Sequence, residues 1–122
     1  MINNYKKNIL NKIYFNKIRV SVIGLGYVGL PLSLLLSRKS AVVGIDIDKK
    51  KVSTLSSNKS YLERIDNSKV RKFNKKNIFC SDFSKIKDSD FIIICVPTPL
   101  KKNNTPDLSF IKSSLIRIKQ RF

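Results

Sequence analysis

The chain lacks histidine and tryptophan, and several other residue types are scarce. Its 122 residues include 2 cysteines, 4 glycines, 4 prolines and 8 acidic residues. Without histidine, and with Cys80 and Cys95 far apart and outside any C-x-x-C spacing, we expect no zinc site, haem site or disulfide framework. No apolar run approaches the roughly 20 residues that span a bilayer, and no signal-peptide pattern is present. We therefore expect a cytoplasmic protein without a metal or a membrane partner.

The scarcity of acids leaves 25 Lys and Arg residues and a formal net charge of +17. Clustered basic residues bind polyanions by releasing counterions, so the charge alone favours a nucleic-acid partner. The lysines are instead spread along the chain beside many Asn and Ile residues. We expect a solvated basic surface and no nucleic-acid partner, with a polyanion-binding surface as the alternative. The 42% of hydrophobic residues fall in blocks, which indicates one folded domain and no second full domain.

Residues 1–17 form a basic N-terminal extension, separate from a domain over residues 18–122. The extension contains no acid, and Ile2, Tyr5, Ile9 and Ile13 recur at spacings of three to four. This spacing predicts a short amphipathic helix that lies on the domain. An organelle targeting peptide is the disfavoured alternative, because such peptides prefer Arg and Ser to Lys and Asn.

Strand-like and helix-like segments alternate from Ile18 onward. We predict strands that end at Gly24 and at Asp46, and two more over Ile78–Cys80 and Phe91–Val96. We predict a first helix that opens at the glycine loop and ends near Arg38 and Lys39, a second over 48–57 and a third from 107. Asp48 and Asp107 are the expected caps of the second and third helices, and the expected inward residues of the first are Val28, Leu30, Leu34 and Leu35. Residues 58–77 show no clear pattern. The order predicts an α/β fold, a Rossmann-like parallel sheet with helices on both faces.

The segment Gly24-Leu25-Gly26-Tyr27-Val28-Gly29 matches G-x-G-x-x-G between a predicted strand and a predicted helix. In this context Gly24 permits the turn, Gly26 lets the backbone approach a pyrophosphate, and Gly29 lets the helix pack on the strand. Asp46, at the end of the next strand, is placed to accept hydrogen bonds from the adenosine ribose and to repel the 2′-phosphate of NADP. The pattern therefore favours NAD.

Three alternatives stay open at this point. In the first, the glycines only shape the turn, which the complete context disfavours. In the second, the nucleotide is S-adenosylmethionine, because folds that bind it also carry an acid after the second strand, although their loop is commonly looser than this one. Lys49, Lys50 and Lys51 follow Asp46 and offer charge for the 2′-phosphate of NADP, or one of them reaches the phosphate or ribose of NAD. As plain surface residues they form the solvated first turn of a helix.

Pro97-Thr98-Pro99 follows the most apolar predicted strand. Two prolines stiffen the backbone and remove two N–H donors, so the Thr98 hydroxyl is presented on a rigid segment at the strand end, where ligands of parallel sheets bind. Either a cofactor contact or a simple rigid turn fits this pattern. Cys95 lies inside the apolar strand, and we expect a core residue there and no catalytic thiol.

Four ordered motifs, GLGYVGLPL, GIDID, CVPTPL and TPDLSFI, resemble the N-terminal NAD-binding domain of the UDP-glucose/GDP-mannose dehydrogenase family, from about Ile18 to the end. YLERI together with CVPTPLKKNNTPDLSFI is most similar to its UDP-N-acetylglucosamine 6-dehydrogenase branch, which serves polysaccharide biosynthesis. The resemblance implies oxidation of a sugar C6 hydroxyl to a carboxylate with two NAD molecules in succession, through a thiohemiacetal or thioester on a catalytic cysteine. It also implies a homo-oligomer for the full-length enzyme.

Matched residue by residue, the resemblance places cofactor contacts on Val28, Asp46, Lys51 and Thr98, the last at the nicotinamide end. With the glycine loop, the expected cofactor-binding set is Gly24, Gly26, Tyr27, Val28, Gly29, Asp46, Lys51 and Thr98. The family's catalytic cysteine, its lysine and most sugar contacts lie in later segments, so we expect a fragment that is inactive alone. A stand-alone NAD(H)-binding regulatory module and an inactive gene fragment are the alternatives.

Overall fold

The computed structural model describes all 122 residues and contains a four-stranded parallel sheet with the strand order β3-β2-β1-β4. The strands are β1 (Arg19–Ile23), β2 (Ala41–Ile45), β3 (Ile78–Cys80) and β4 (Phe91–Ile94). In the central strand Val22 lies opposite Gly44 on one side and Ile93 on the other. The chain therefore reverses its direction of strand addition between β1 and β4, which is the point where parallel sheets bind ligands.

Helices cover both faces of this sheet. They are α1 (Ile2–Tyr14), α2 (Gly29–Leu36), α3 (Lys49–Ser56), α4 (Asn67–Asn74) and α5 (Ser109–Lys119), with a 3₁₀ helix at Phe83–Asp88. Neighbouring residues of β1 serve opposite faces, since Val22 packs in a cluster with α2, α3 and α4, whereas Ile23 packs with the 3₁₀ helix. The predicted α/β fold class is confirmed.

Helix α2 differs from its prediction in which residues face the core and in the residue at which the helix ends. Val28 and Leu35 are 68% and 56% exposed, so the expectation that they face inward is wrong. Val28 precedes the first helical residue and lies outside the packed turn, while Leu30 and Ser33 form the buried side. The Ser33 hydroxyl is satisfied by donation to the Gly29 carbonyl at 2.8 Å. The helix ends at Leu36, and the predicted last residues form a turn.

The segment without a pattern contains helix α4, which the sequence did not reveal. Val70 and Phe73 are the buried residues of this helix, and charged residues surround them, so the apolar period is too short to detect. The fourth strand also ends earlier than predicted, at Ile94, and none of its residues is buried, because β4 lies at the edge of the sheet. The predicted cap of α3 is correct, because Asp48 is its N-cap and accepts from the amides of Lys50 and Lys51. The predicted cap of α5 is wrong by one residue, because Leu108 is the N-cap and Asp107, which precedes it, accepts from the Ser109 amide.

The predicted N-terminal helix is confirmed as α1, although none of its residues is buried. An ion pair between Lys12 and Asp90 fastens it to the segment before β4. Ile13, at its end, lines an apolar groove of about 400 Å³ with Ile18 and Phe91. None of the helices is long and apolar enough to cross a membrane.

Candidate functional site

Two glycines of the turn after β1 are required by contacts within the chain. Gly24 has a φ of +93° and donates its N–H to the Ile45 carbonyl at 2.8 Å. A Cβ added to Gly24 would lie only 2.6 Å from the Cys95 carbonyl oxygen. A Cβ on Gly29 would lie 1.6 Å from the Gly24 carbonyl oxygen. The turn is therefore held tightly between the ends of β2 and β4, and α2 begins in direct contact with it.

Gly26 is different, because a Cβ added to it would have no neighbouring atom within 4 Å. Packing within the chain does not require glycine at this position, and the space beside its backbone is open. The amides of residues 26 to 29 donate no hydrogen bond within the chain, and Val28 provides no side-chain cap for α2. Free amides at a helix N-terminus bind anions, and the missing Cβ admits a phosphate to the backbone. A dinucleotide pyrophosphate fits this turn.

The Asp46 carboxylate is fixed directly beside the turn. Its Oδ2 accepts from the Leu25 amide at 2.8 Å, and its Oδ1 accepts from the Asp48 amide at 2.9 Å. The residue is 9% exposed, so its orientation is determined by these two bonds and by the end of β2. Each carboxylate oxygen retains a further acceptor position, which suits the paired hydroxyls of a ribose.

Lys51 is the half-buried member of the three lysines that open α3, whereas Lys49 and Lys50 are exposed. Its Nζ lies 5.7 Å from the centroid of the Tyr61 ring. The Tyr61 hydroxyl is buried without a hydrogen-bond partner. Burial, followed by the negative charges of Asp46 and Asp48, raises the pKa of Tyr61, so the phenol is neutral at physiological pH. The sequence offered Tyr61 only as part of YLERI, with no signal that it lies near Asp46.

Thr98 lies at the same edge of the sheet as the glycine turn. Ile94 of β4 pairs with Ile23, which places Cys95 against Gly24, and Thr98 follows three residues later. Its side chain is exposed and its hydroxyl makes no hydrogen bond within the chain. Pro99 is held in place because its carbonyl accepts from the Asp107 amide at 2.7 Å. Tyr27 and Val28 are exposed at this edge, at 87% and 68%.

Neither cysteine is prepared for nucleophilic chemistry. Burial raises the pKa of the Cys80 thiol and that of the Cys95 thiol, which keeps both protonated at neutral pH. Two cavities, of about 290 and 400 Å³, lie at the opposite edge of the sheet, near the start of β1. None of the residues that line them belongs to the glycine turn or to the end of β2, where the residues with ligand-binding chemistry lie.

A parallel sheet with a glycine turn, free amides and a fixed acid at the next strand end defines an α/β dinucleotide-binding domain. Residues 18–122 match the model of the UDP-glucose/GDP-mannose dehydrogenase family, NAD binding domain. The chain belongs to the UDP-glucose/GDP-mannose dehydrogenase family, and its cofactor is NAD. The resemblance carried by the four motifs is thereby confirmed.

Individual relatives agree with this assignment. The chain is 38% identical over 89 residues to protein CapL of Staphylococcus aureus, and this match covers 73% of the chain and 20% of CapL. It is 36% identical over 100 residues to the UDP-N-acetyl-D-glucosamine 6-dehydrogenase of Salmonella typhi, covering 81% of the chain and 23% of that enzyme. The ternary complex of a GDP-mannose dehydrogenase from Pseudomonas aeruginosa superposes with a TM-score of 0.80 at 31% identity, over 85% of this chain and 25% of that one. The chain thus spans about a quarter of the length of such relatives.

Proposed function

We propose that this chain is the NAD-binding part of a nucleotide-sugar 6-dehydrogenase that serves polysaccharide biosynthesis in the cytoplasm. The proposed cofactor-binding residues are Gly24, Gly26, Tyr27, Val28, Gly29, Asp46, Lys51 and Thr98. The observation that carries the proposal is the junction of the turn and the acid, where the Leu25 amide holds the Asp46 carboxylate at 2.8 Å and the next four amides are free. A positive turn and a negative carboxylate side by side match a pyrophosphate joined to a ribose.

Each part of the cofactor has a counterpart among these residues. The amides of residues 26 to 29 hold the pyrophosphate, and Gly24 and Gly29 preserve the shape of the turn that presents them. Asp46 accepts from the adenosine ribose hydroxyls, and Lys51 contributes its charge at the same end of the cofactor. Thr98 offers its free hydroxyl at the nicotinamide end. NAD, when bound, supplies the acceptor of a hydride, and the residues of this chain bind and orient it.

The position of Asp46 favours NAD over NADP. Its carboxylate is buried and held by two amides, so it cannot turn away from a 2′-phosphate. Bringing two negative groups together in a partly desolvated site is unfavourable. Lys49 and Lys50 are exposed and solvated, so their charges compensate that repulsion only weakly.

The proposed reaction converts a C6 alcohol and water into a carboxylate while two NAD⁺ become two NADH, with release of three protons. It requires a thiol that is readily deprotonated, and both cysteines of this chain have a raised pKa. We therefore propose that these residues bind the cofactor and that other residues of the enzyme perform the covalent step.

The proposed sugar nucleotide is UDP-N-acetylglucosamine. Its support is the YLERI and CVPTPLKKNNTPDLSFI segments and the 36% identity to the Salmonella typhi enzyme. A UDP-N-acetyl-D-mannosamine dehydrogenase of Yersinia pestis is 35% identical over 96 residues. Overall identity therefore supports a UDP-sugar substrate without separating these two sugars.

Calorimetric titration of the purified chain with NAD tests the proposal. We expect saturable binding, which Asp46→Ala weakens by about 10-fold or more, because hydrogen bonds to a charged group contribute about 1.5 to 3 kcal/mol. Asp66→Ala is the matched control, since it removes the same charge from an exposed carboxylate without side-chain hydrogen bonds. No saturation at millimolar NAD, or equal affinity of the Asp46→Ala protein, would contradict the proposal.

A further inference from the structure

We propose that Tyr61 is a positioning residue of this site, which holds the Lys51 ammonium over its ring and so directs that charge towards the adenosine end of NAD. The inference rests on the proposed function, because it assumes that Lys51 contacts the cofactor. It adds a residue from the segment between α3 and α4, which none of the glycine loop, the acid or the Pro97–Pro99 segment includes.

The three consecutive lysines at the start of α3 differ in their contact with an aromatic ring. Lys49 and Lys50 are exposed, and no aromatic ring lies under either. Lys51 is half-buried, with its Nζ 5.7 Å from the Tyr61 ring centroid, within the range of a cation–π interaction. A free lysine samples many rotamers, and one that is held over a ring loses less entropy when it binds a ligand. Tyr61 therefore selects one of three similar side chains.

Tyr61 is itself fixed well enough to hold a lysine. Its ring packs against the core cluster that contains Leu55 and Val70, and its hydroxyl is buried. Asp46 and Asp48 lie near enough to act on the phenol electrostatically. The Tyr61 ring therefore lies close both to the Lys51 ammonium and to the acids that follow β2. Lys51 forms no ion pair with Asp46 within the chain, so the ammonium and the carboxylate both remain free to contact the adenosine end of NAD.

A double-mutant cycle with NAD titration tests this coupling. We expect Tyr61→Leu to weaken NAD binding by about 3- to 10-fold, the range of one partly desolvated cation–π contact, and Lys51→Met to weaken it to a similar extent. The combined Tyr61→Leu, Lys51→Met protein is expected to bind no more weakly than Lys51→Met alone. Tyr61→Phe keeps the ring and is expected to retain affinity within about 2-fold. Lys50→Met is the matched control and is expected to bind as the unaltered chain does.

A proton NMR measurement keeps the test decisive if Tyr61→Leu does not fold. In the unaltered chain and in Tyr61→Phe, the Lys51 ε-methylene protons are expected to be shifted upfield by the ring current, while those of Lys49 and Lys50 are not. Unshifted Lys51 protons, or additive losses of affinity in the cycle, would overturn the inference. If NAD binds and responds to Asp46→Ala while Tyr61→Leu binds equally well, only this inference fails. If the unaltered chain does not bind NAD, the proposed function fails with it.

Discussion

The part of the sheet that contains β1, β2 and β3 and the edge that contains β4 differ in how completely the chain covers them; we call them the closed side and the open side. On the closed side, which comprises β1, β2 and β3 with α2, α3 and α4, ten buried apolar residues form one cluster. On the open side, which comprises β4 with α1 and α5, the strand is half-buried and apolar side chains remain at the surface. Phe91, Phe110, Leu115 and Ile116 are exposed by between 41% and 59%. The glycine turn lies where the two sides meet, against Ile45 and Cys95.

This difference shows that position in the sheet determines burial more than the hydrophobicity of a strand does. Strand β1 contains Arg19 and Ser21 and is almost entirely buried, because strands flank it on both sides. Ser21 tolerates full burial because its hydroxyl lies 2.6 Å from that of Ser89. Strand β4 is wholly apolar and less buried, because it has a neighbour on one side only.

The largest expected effect is at the point where the two sides meet. Gly29→Ala places a Cβ 1.6 Å from the Gly24 carbonyl oxygen, a backbone atom that cannot move aside without opening the turn. We expect a loss of about 5 kcal/mol or more in the free energy of unfolding, enough to leave the chain unfolded. Urea denaturation measures it. Gly26→Ala is the control, with an expected change within about 1 kcal/mol and a loss of NAD binding; equal destabilisation by both would contradict the packing argument.

The next effect compares the two sides directly. Phe73 is 2% exposed and its ring is stacked on that of Phe79 at 4.2 Å, so Phe73→Ala leaves a cavity on the closed side. We expect it to lower the free energy of unfolding by about 3 to 5 kcal/mol. Leu115→Ala on the open side, where the residue is 51% exposed, is expected to change it by about 0.5 kcal/mol or less. Similar values from denaturant titrations of the two variants would remove the distinction between the sides.

A smaller effect, of opposite sign, is expected within the closed side. Tyr61→Phe removes a buried hydroxyl that has no hydrogen-bond partner, so the desolvation cost of that group disappears. The folded chain is expected to gain about 1 kcal/mol, measured as a higher midpoint of thermal unfolding. Tyr27→Phe, at an 87% exposed position, is the control and is expected to leave the midpoint unchanged. A lower midpoint for Tyr61→Phe would show that the hydroxyl is satisfied in solution.

The smallest effect concerns the attachment of α1 to the open side. Burial alone would raise the pKa of Asp90, but hydrogen bonds from Lys12 and the Arg19 amide outweigh it, and the net pKa is lowered. A lowered folded-state pKa contributes stability above the unfolded value of about 3.9, and this stability is lost as pH falls through the folded value.

Lys12→Ala is therefore expected to raise the pKa of Asp90, measured by NMR titration of its carboxyl carbon. At neutral pH the variant is expected to lose about 0.5 kcal/mol, the usual contribution of a partly exposed ion pair, and the difference from the unaltered chain should vanish in acid. Lys7→Ala changes the same charge on an exposed position of α1 and is the control. An unshifted Asp90 in Lys12→Ala would show that the ion pair does not form in solution.

Much of the fold could be predicted because its signals are local. The β-branched runs of β1 and β2 are followed by glycine or aspartate, and Asp48 caps α3 as its position indicates. Helix α4 was missed because Val70 and Phe73 are the only buried residues among charged neighbours. Val28 was misplaced because a helical period does not tell at which residue the helix starts, and α2 begins one residue later.

Part of the candidate site could likewise be predicted from the sequence, and part could not. The motif that contains Gly24, Gly26 and Gly29 is contiguous, and Asp46 follows at the end of the next strand, so both were visible in the sequence. The sequence did not show that Gly26 faces open space while Gly24 and Gly29 are packed against backbone atoms. Tyr61 was not identified as a site residue, because the loop that brings it to Lys51 has no periodic pattern.

The sequence by itself determined the fold class, the turn and the family, because each depends on residues that act through their own backbone or side-chain preferences over a few positions. The tertiary structure alone decided which lysine lies on a ring, which glycine faces open space and which apolar residues stay exposed. These properties depend on atoms distant in the chain, such as the Cys95 carbonyl beside Gly24 and the Tyr61 ring beneath Lys51. Packing of the sheet and its helices brings those atoms together, and no local preference encodes their distances.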